Sequence, residues 1–152
     1  MDEYKRWYRQ VNDLSYRAIN TLNNMSLPDN ATIVFDIDDT LIRPDGNALF
    51  PILNLYNYSK EMGLVLILIT NRLGDESSIK YTQSQLSNLG ITGYQSLYFR
   101  SPLKEDNPWR YKEQARKSVF ERGLNVVMSI GDQPWDIGNY GGVGVQVPLY
   151  NV

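Results

Sequence analysis

The segment ATIVFDIDDT, residues 31–40, indicates both the fold of this chain and the place of its chemistry. Its first five residues are small, β-branched or aromatic, which predicts a buried strand at 31–35. Asp36 and Asp38 follow this strand directly. Because ligands of open parallel sheets bind at the carboxyl ends of the strands, these two carboxylates mark a candidate functional site.

Outward from this strand, helical and strand-like patterns alternate along the chain. Hydrophobic periodicity and glycine or proline punctuation predict helices at about 3–24, 48–62, 76–89 and 110–122, and further strands at about 64–69, 96–99, 125–130 and 143–147. The strand at 64–69 is apolar on both faces, as is typical of a parallel sheet covered on both sides. The pattern predicts an α/β fold: a Rossmann-like three-layer sandwich with a mostly parallel sheet of about five strands.

The length of 152 residues is typical of one domain, and the chain has no internal repeat or linker. We therefore expect a single domain over residues 1–152, with an N-terminal helix at about 3–24 and a core at about 31–152. The segment before the second predicted strand has room for one helix, and the segment after it has room for a helix, a short strand and a loop. A separate cap domain over the site is not expected.

The composition excludes several kinds of chemistry. With no cysteine and no histidine, the chain has no disulfide, no zinc thiolate site and no histidine base. Catalysis would depend on carboxylates, lysine, hydroxyls and hard metal ions. The formal net charge of −2 gives no indication of a nucleic-acid partner, although a local basic patch remains compatible with it.

The N-terminus carries charges throughout and shows no secretory signal, and the longest apolar run, 64–69, is too short to span a bilayer. These patterns favour a cytoplasmic or otherwise intracellular protein with no membrane partner.

Polar residues occur in four sets at or after the predicted strands or on the helix that follows them. These sets are Asp36 to Thr40, Thr70 to Arg72, Lys112, and Gly131 with Asp132 and Asp136. They resemble the four motifs of the haloacid dehalogenase-like superfamily: DxDxT, a threonine after the second strand, a lysine, and GDxxxD. A closer similarity is to the class B acid phosphatase and plant vegetative-storage-protein branch, in ITNR at 69–72, YKEQAR at 111–116, GDQPWDI at 131–137 and VPLYN at 147–151.

The resemblance implies a phosphomonoester hydrolase that works through an aspartyl-phosphate intermediate. Asp36 is expected to be the nucleophile, and Asp38 is expected to protonate the leaving alcohol and then deprotonate water. Lys112 would neutralise the nucleophile and the phosphate. Thr70 and Asn71, the latter through a backbone N–H, would hold the phosphate oxygens.

The resemblance also implies a magnesium ion, which would offset the repulsion between two carboxylates and a phosphate dianion. Asp36 and Asp132 would bind Mg²⁺ by their side chains and Asp38 by its backbone carbonyl. Asp136 would bind it directly or through water.

Some of these residues have a simpler interpretation. Taken singly, Asp39, Asp45 and Asp136 are equally consistent with turn formers or helix N-caps. Arg72 and Arg116 are equally consistent with substrate contacts and with ion pairs to acidic neighbours.

Nucleotides and small phosphomonoesters are the first substrates that the resemblance implies. The expected lack of a cap leaves two alternatives: a macromolecular phosphate such as a polynucleotide end or phosphoprotein, or a homo-oligomer in which the partner acts as a lid. A catalytically silent phosphate-binding or storage relative and a receiver domain are further alternatives. Asp36, Asp38 and the GDxxxD motif disfavour both.

Overall fold

Five strands lie in one parallel sheet in the computed structural model, which describes residues 2–103 and 107–150. Residue 151 of the VPLYN segment lies outside these ranges. The strands are β1 (Ala31–Phe35), β2 (Val65–Leu73), β3 (Ser96–Arg100), β4 (Asn125–Gly131) and β5 (Val143–Gln146), in the spatial order β3-β2-β1-β4-β5. All four strand pairings are parallel. The predicted α/β fold with a parallel sheet is confirmed.

Helices cover both faces of this sheet: α1 (Glu3–Asn23), α2 (Phe50–Glu61), α3 (Glu76–Asn88) and α4 (Pro108–Glu121). Successive side chains of β1 point to opposite faces. Ile33 and Phe35 pack in the larger apolar cluster with α1, α2 and α3, whereas Val34 packs in a smaller cluster with Ala115 and Val119 of α4. The sheet is therefore the middle of three layers, and its central strand, β1, is buried along its whole length.

The N-terminal helix packs on the rest of the chain. Its buried face carries Trp7, Val11, Ser15, Ala18 and Leu22, at the spacing that an amphipathic helix requires. This face lies against α2. The Ser15 hydroxyl donates a hydrogen bond to the Pro51 carbonyl at 2.6 Å, which satisfies the one polar side chain on it.

The second strand is longer than the sequence indicated. It was expected to end at residue 69, but β2 continues to Leu73, so the Thr70-Asn71-Arg72 segment lies within the strand. Pairing with β3 is interrupted after Ile69 and resumes at Leu73, opposite Arg100. The Arg100 side chain bridges the interruption by donating from Nε to the Asn71 carbonyl at 3.2 Å.

A tight turn follows β1 at residues 37–42. The Ile37 carbonyl accepts hydrogen bonds from the amides of Thr40, Leu41 and Ile42. Asp39 adopts a left-handed φ of 59°, which aspartate tolerates better than most residues. The turn interpretation of Asp39 therefore fits the structure.

Among the described residues, no helix has the length and apolar character that crossing a membrane requires. Between Thr40 and Lys112 the described residues form α2, α3, β2 and β3 with their connecting loops. The extent of the domain stays a prediction.

Candidate active site

Three buried carboxylates meet at the carboxyl ends of the central strands. Asp36 follows β1, Asp132 follows β4, and Asp136 lies in the short 3-10 helix Pro134–Asp136. One carboxylate oxygen from each lies within 4.8 Å of the other two. The structure thus brings together three of the four residues that were expected to bind a metal by their side chains or backbone.

The close approach of Asp136 depends on the glycine that ends β4. A Cβ atom at Gly131 would lie 2.1 Å from the Cβ of Asp136, so any other residue would displace this carboxylate. The Gln133 amide donates to Asp136 Oδ2 at 3.0 Å, which fixes the side chain over the turn.

Lys112 supplies the positive charge in this cluster. Its side chain is only 1% exposed, and its Nζ lies 2.9 Å from Asp36 Oδ1 and 2.7 Å from Asp136 Oδ1. It also donates to the Ile69 carbonyl at 2.7 Å. Burial favours the neutral amine, but the two carboxylates outweigh it and raise the pKa of Lys112, so the side chain is a buried ammonium.

Thr40 connects two of the carboxylates. Its hydroxyl oxygen lies 3.4 Å from Asp36 Oδ2 and 3.3 Å from Asp132 Oδ1, so that its proton can be donated to either. The sequence placed Thr40 in the first motif but assigned it no contact. Gln133 was not singled out, although its Nε2 donates to Asp132 Oδ2 at 3.0 Å.

The cluster has an excess of negative charge. Burial is the main cause that raises the pKa of Asp36 to about 7 and that of Asp136 to about 6. One ammonium, that of Lys112, contacts two of the three carboxylates, those of Asp36 and Asp136. Carboxylate oxygens are the donors that hard divalent cations prefer, so the residues present fit a cation such as Mg²⁺ or Ca²⁺.

Asp38 is held apart from this cluster by Arg72. The guanidinium donates from Nε to Asp38 Oδ2 at 2.9 Å and from Nη2 to Asp38 Oδ1 at 2.7 Å. Its Nη1 donates to Thr82 and Gln85 on α3. Of the two interpretations of Arg72, the structure shows the ion pair, and the partner is the residue expected to transfer protons.

A cleft of about 270 Å³ opens beside the carboxylate cluster and the ion pair of Asp38 with Arg72. Its lining consists of Asp36, Asp38, Asp39, Asn71, Arg72, Lys112, Asp132, Gln133 and Trp135. Thr70 is fully buried and does not line the cleft, and its hydroxyl oxygen accepts a hydrogen bond from the Arg72 amide at 3.1 Å. Asn71 is exposed at the rim.

Arg116 differs from both of its sequence interpretations. Its guanidinium donates hydrogen bonds to three backbone carbonyls, those of Trp135, Ile137 and Asn139. Asp45 also has a local role, because its Oδ1 accepts from the Asn47 amide at 3.0 Å in a turn.

Curated proteins of plants are similar to this chain in sequence. The stem 28 kDa glycoprotein of Glycine max is 28% identical over 66% of this chain and 39% of that protein. Vegetative storage protein 1 of Arabidopsis thaliana is 31% identical over 56% of this chain and 31% of that protein. The chain thus spans about two fifths or less of the length of these curated relatives.

Solved structures share the fold at low sequence identity. The class C acid phosphatase from Bacillus anthracis superposes with a TM-score of 0.70 at 15% identity, covering 93% of this chain and 80% of that chain. A chain from the structure of the Pnkp1/Rnl/Hen1 complex gives a TM-score of 0.68 at 16% identity, covering 82% of this chain and 49% of that chain.

A family model identifies the group to which the chain belongs. The model described as HAD superfamily, subfamily IIIB (Acid phosphatase), matches residues 43–146, which is more than half of the chain. The match begins after Asp36 and Asp38, so their place in the site is shown by the folded geometry: Asp36 contacts Lys112, and both aspartates line the cleft that Asp132 also lines. On this match, the chain belongs to subfamily IIIB of the HAD superfamily.

Proposed function

We propose that this chain is a magnesium-dependent phosphomonoester hydrolase that works through an aspartyl-phosphate intermediate. The observation that carries the proposal is the meeting of Asp36 with Lys112, Asp132 and Asp136 in one buried cluster at the mouth of a cleft. Membership of a family described as acid phosphatases supports it.

Asp36, Asp132 and Asp136 would hold the magnesium ion, with the backbone carbonyl of Asp38 as the further ligand that the resemblance implies. When bound, the ion would neutralise the carboxylates and the phosphate dianion and so favour their close approach. It would also favour the ionised form of Asp36, whose pKa burial otherwise raises.

In the first step, an Asp36 oxygen attacks phosphorus and the bond from phosphorus to the leaving oxygen breaks. Asp38, which must first take up a proton and give up one of its two hydrogen bonds to Arg72, gives that proton to the leaving oxygen. In the second step, Asp38 takes a proton from water as the water attacks phosphorus. The bond from phosphorus to Asp36 then breaks, which releases inorganic phosphate and restores the carboxylate. Two easier steps replace one difficult step.

The phosphate oxygens would be held by the Lys112 ammonium, the Asn71 backbone N–H and the Thr70 hydroxyl. The Thr70 oxygen already accepts from the Arg72 amide, which leaves its proton free to point to a phosphate. Thr70 is fully buried and does not line the cleft, so a phosphate would have to enter deeper than this cleft to reach its hydroxyl. We therefore also assign Thr70 the role of supporting the strand end.

Nucleotides and other small phosphomonoesters are the proposed substrates, since the cleft of about 270 Å³ has room for a phosphate and part of its leaving group. A macromolecular phosphate is the second candidate, favoured by the open mouth of the cleft. There Trp135 lines the cleft and stacks edge-on with Trp109, which is 57% exposed.

The test is release of phosphate from p-nitrophenyl phosphate and a panel of nucleotides, with Mg²⁺ and with EDTA. We expect magnesium-dependent turnover in the wild type and in Asp13→Asn, an exposed control on α1. We expect no turnover in Asp36→Asn, with its circular dichroism spectrum unchanged. Full activity in Asp36→Asn would contradict the proposed nucleophile.

The substrate class is tested by comparing a phosphorylated mononucleotide with the same phosphate at the end of an oligonucleotide. A higher kcat/KM for the mononucleotide or comparable values for both support a small substrate. A strong preference for the oligonucleotide supports the second candidate. Absence of turnover on every substrate would indicate a silent phosphate-binding relative.

A further inference from the structure

Arg116 is a buried arginine whose guanidinium contacts the backbone of a single segment. It lies on α4, four residues after Lys112, and is only 3% exposed. Its Nε donates to the Asn139 carbonyl at 2.9 Å, its Nη1 to the Trp135 carbonyl at 2.8 Å, and its Nη2 to the Ile137 carbonyl at 3.3 Å. Burying a charge is costly, and these bonds give each of the three guanidinium nitrogens an acceptor without using any carboxylate of the cluster.

The segment that Arg116 holds has little regular structure of its own. After the single 3-10 turn Pro134–Asp136, the chain passes through Gly138 at a φ of 121° and Tyr140 at a φ of 63° before β5 begins. A second contact from α4 joins it, because the Asn139 Nδ2 donates to Glu113 Oε1 at 2.7 Å. The segment is therefore attached mainly to α4, with one further bond from β4, where the Ser129 hydroxyl donates to the Gly141 carbonyl at 2.8 Å.

Asp136 lies between two of the carbonyls that Arg116 holds. Trp135 precedes it and Ile137 follows it, so the guanidinium fixes the backbone on both sides of this carboxylate. One turn earlier on the same helix, Lys112 contacts the carboxylate itself. We infer that Arg116 is a positioning residue that orients Asp136 for metal binding, an inference that depends on the magnesium site proposed above.

The charge of Arg116 and its hydrogen bonds predict opposite changes in Mg²⁺ affinity when the residue is replaced, so the inference can be tested. A buried cation near the cluster repels a second cation, so if Arg116 contributed only its charge, removing it would tighten Mg²⁺ binding. If Arg116 orients Asp136, removing it weakens Mg²⁺ binding. Groups that orient metal ligands typically change metal affinity about 10- to 100-fold when they are replaced.

The experiment measures the Kd for Mg²⁺ by isothermal titration calorimetry and by the magnesium dependence of Tm, neither of which depends on turnover. The variants are Arg116→Met, which loses charge and hydrogen bonds, and Arg116→Lys, which keeps the charge but loses the planar fork. Matched controls are Arg122→Met and Arg122→Lys. Arg122 follows α4 and donates to the side chains of Gln95, Ser96 and Tyr98, away from the cluster.

We expect both Arg116 variants to raise the Kd about 10- to 100-fold and the Arg122 variants to leave it within about twofold. At saturating Mg²⁺, turnover of the Arg116 variants should recover most of its loss. A lower Tm in EDTA with an unchanged Kd would show that Arg116 only stabilises the fold and would overturn the inference. Tighter binding in Arg116→Met would overturn it in favour of charge alone.

Two further outcomes separate this inference from the proposed function. If the wild type does not bind Mg²⁺, the proposed magnesium site and the role of Arg116 are both overturned. If the wild type binds Mg²⁺ and all variants bind it equally, only the role of Arg116 is overturned. Should Arg116→Met and Arg116→Lys fail to fold, Arg116→Gln is measured instead, because it keeps one donor amide but cannot bond all three carbonyls. We expect its Kd to rise about tenfold or more, and an unchanged Kd there would overturn the inference.

Discussion

The side chain of Arg72 determines where Asp38 can act. Its two hydrogen bonds to the carboxylate fix both oxygens, and its contacts with Thr82 and Gln85 fix the guanidinium in turn. Asp38 is more than half exposed, so without this arginine its carboxylate would sample several rotamers over the cleft. Arg72 therefore orients the group proposed to transfer protons.

Replacing Arg72 should affect substrates according to their leaving groups. A phenolate such as p-nitrophenolate leaves with little help from an acid, whereas an alkoxide requires a proton. General acid catalysis contributes about 10²- to 10⁴-fold in rate. For Arg72→Met we therefore expect kcat/KM to fall by a factor within this range on an alkyl phosphate and by less than about tenfold on p-nitrophenyl phosphate. Steady-state kinetics on both substrates check this prediction.

Arg72→Lys should resemble Arg72→Met, because an ammonium cannot form the paired hydrogen bonds of the fork. Arg122→Met is the control and should leave both substrates unaffected. An equal loss on both substrates would contradict the role of Arg72 in orienting the acid and would point to a contact with phosphate instead.

Single residues also show what could be predicted from the sequence and what could not. The meeting of Asp36, Asp132 and Lys112 could be predicted, the two aspartates because each follows a recognisable strand and Lys112 because of its place in the order of the family's motifs. Their catalytic roles stay predictions. The partners of Arg72 and Arg116 could not, since Asp38 lies 34 residues from Arg72 and the carbonyls bound by Arg116 lie 19 to 23 residues away. A long side chain with several donors gives no local signal of which distant acceptor it will meet.

At the scale of elements, the apolar periodicity predicted the strands and helices well, because this periodicity reflects whether one face or both faces of an element are buried. The end of β2 was missed for a physical reason. Thr70, Asn71 and Arg72 are polar and were expected to follow the strand, but the chain stays extended because Arg100 of β3 bonds to the Asn71 carbonyl. Such a strand end is stabilised by its neighbour rather than by its own pattern.

The packing of α1 against α2 predicts that this helix contributes to the stability of the fold. Leu22 is fully buried in the larger apolar cluster, and Leu→Ala changes in such positions cost about 2–5 kcal/mol. We expect Leu22→Ala to lower the free energy of unfolding by this amount in urea titrations. The exposed Gln10→Ala change on the same helix should alter it by less than about 0.5 kcal/mol. Equal stability of the two variants would indicate that α1 does not stabilise the fold.

For the molecule as a whole, the charge cluster couples stability to pH. The pKa of Asp36 is raised to about 7 and that of Asp136 to about 6, from an ordinary value of 3.8. Between about pH 4 and 7 the folded protein therefore binds more protons than the unfolded chain, so its free energy of unfolding falls as the pH rises. In EDTA we expect Tm to decrease between about pH 5 and pH 7.5.

Magnesium should reverse most of this decrease. A ligand at 100 times its Kd that binds only the folded state stabilises it by about 2.7 kcal/mol, and ionised carboxylates bind the cation better. Differential scanning calorimetry at several pH values, with Mg²⁺ and with EDTA, checks this. Asp36→Asn removes one of the titrating groups and should flatten the EDTA curve. A Tm that depends on pH equally with and without Mg²⁺ would contradict a metal site at the cluster.

The central place of β1 in the sheet has a consequence for how the molecule fluctuates. Both edges of this strand are bonded to parallel neighbours and both faces are covered, and the Asp36 amide itself donates to the Ile130 carbonyl at 2.9 Å. That amide can exchange its hydrogen with solvent only through openings that separate β1 from β4, which involve the most stable part of a fold. We therefore expect the amide of the proposed nucleophile, Asp36, to be among the slowest-exchanging backbone groups of the molecule.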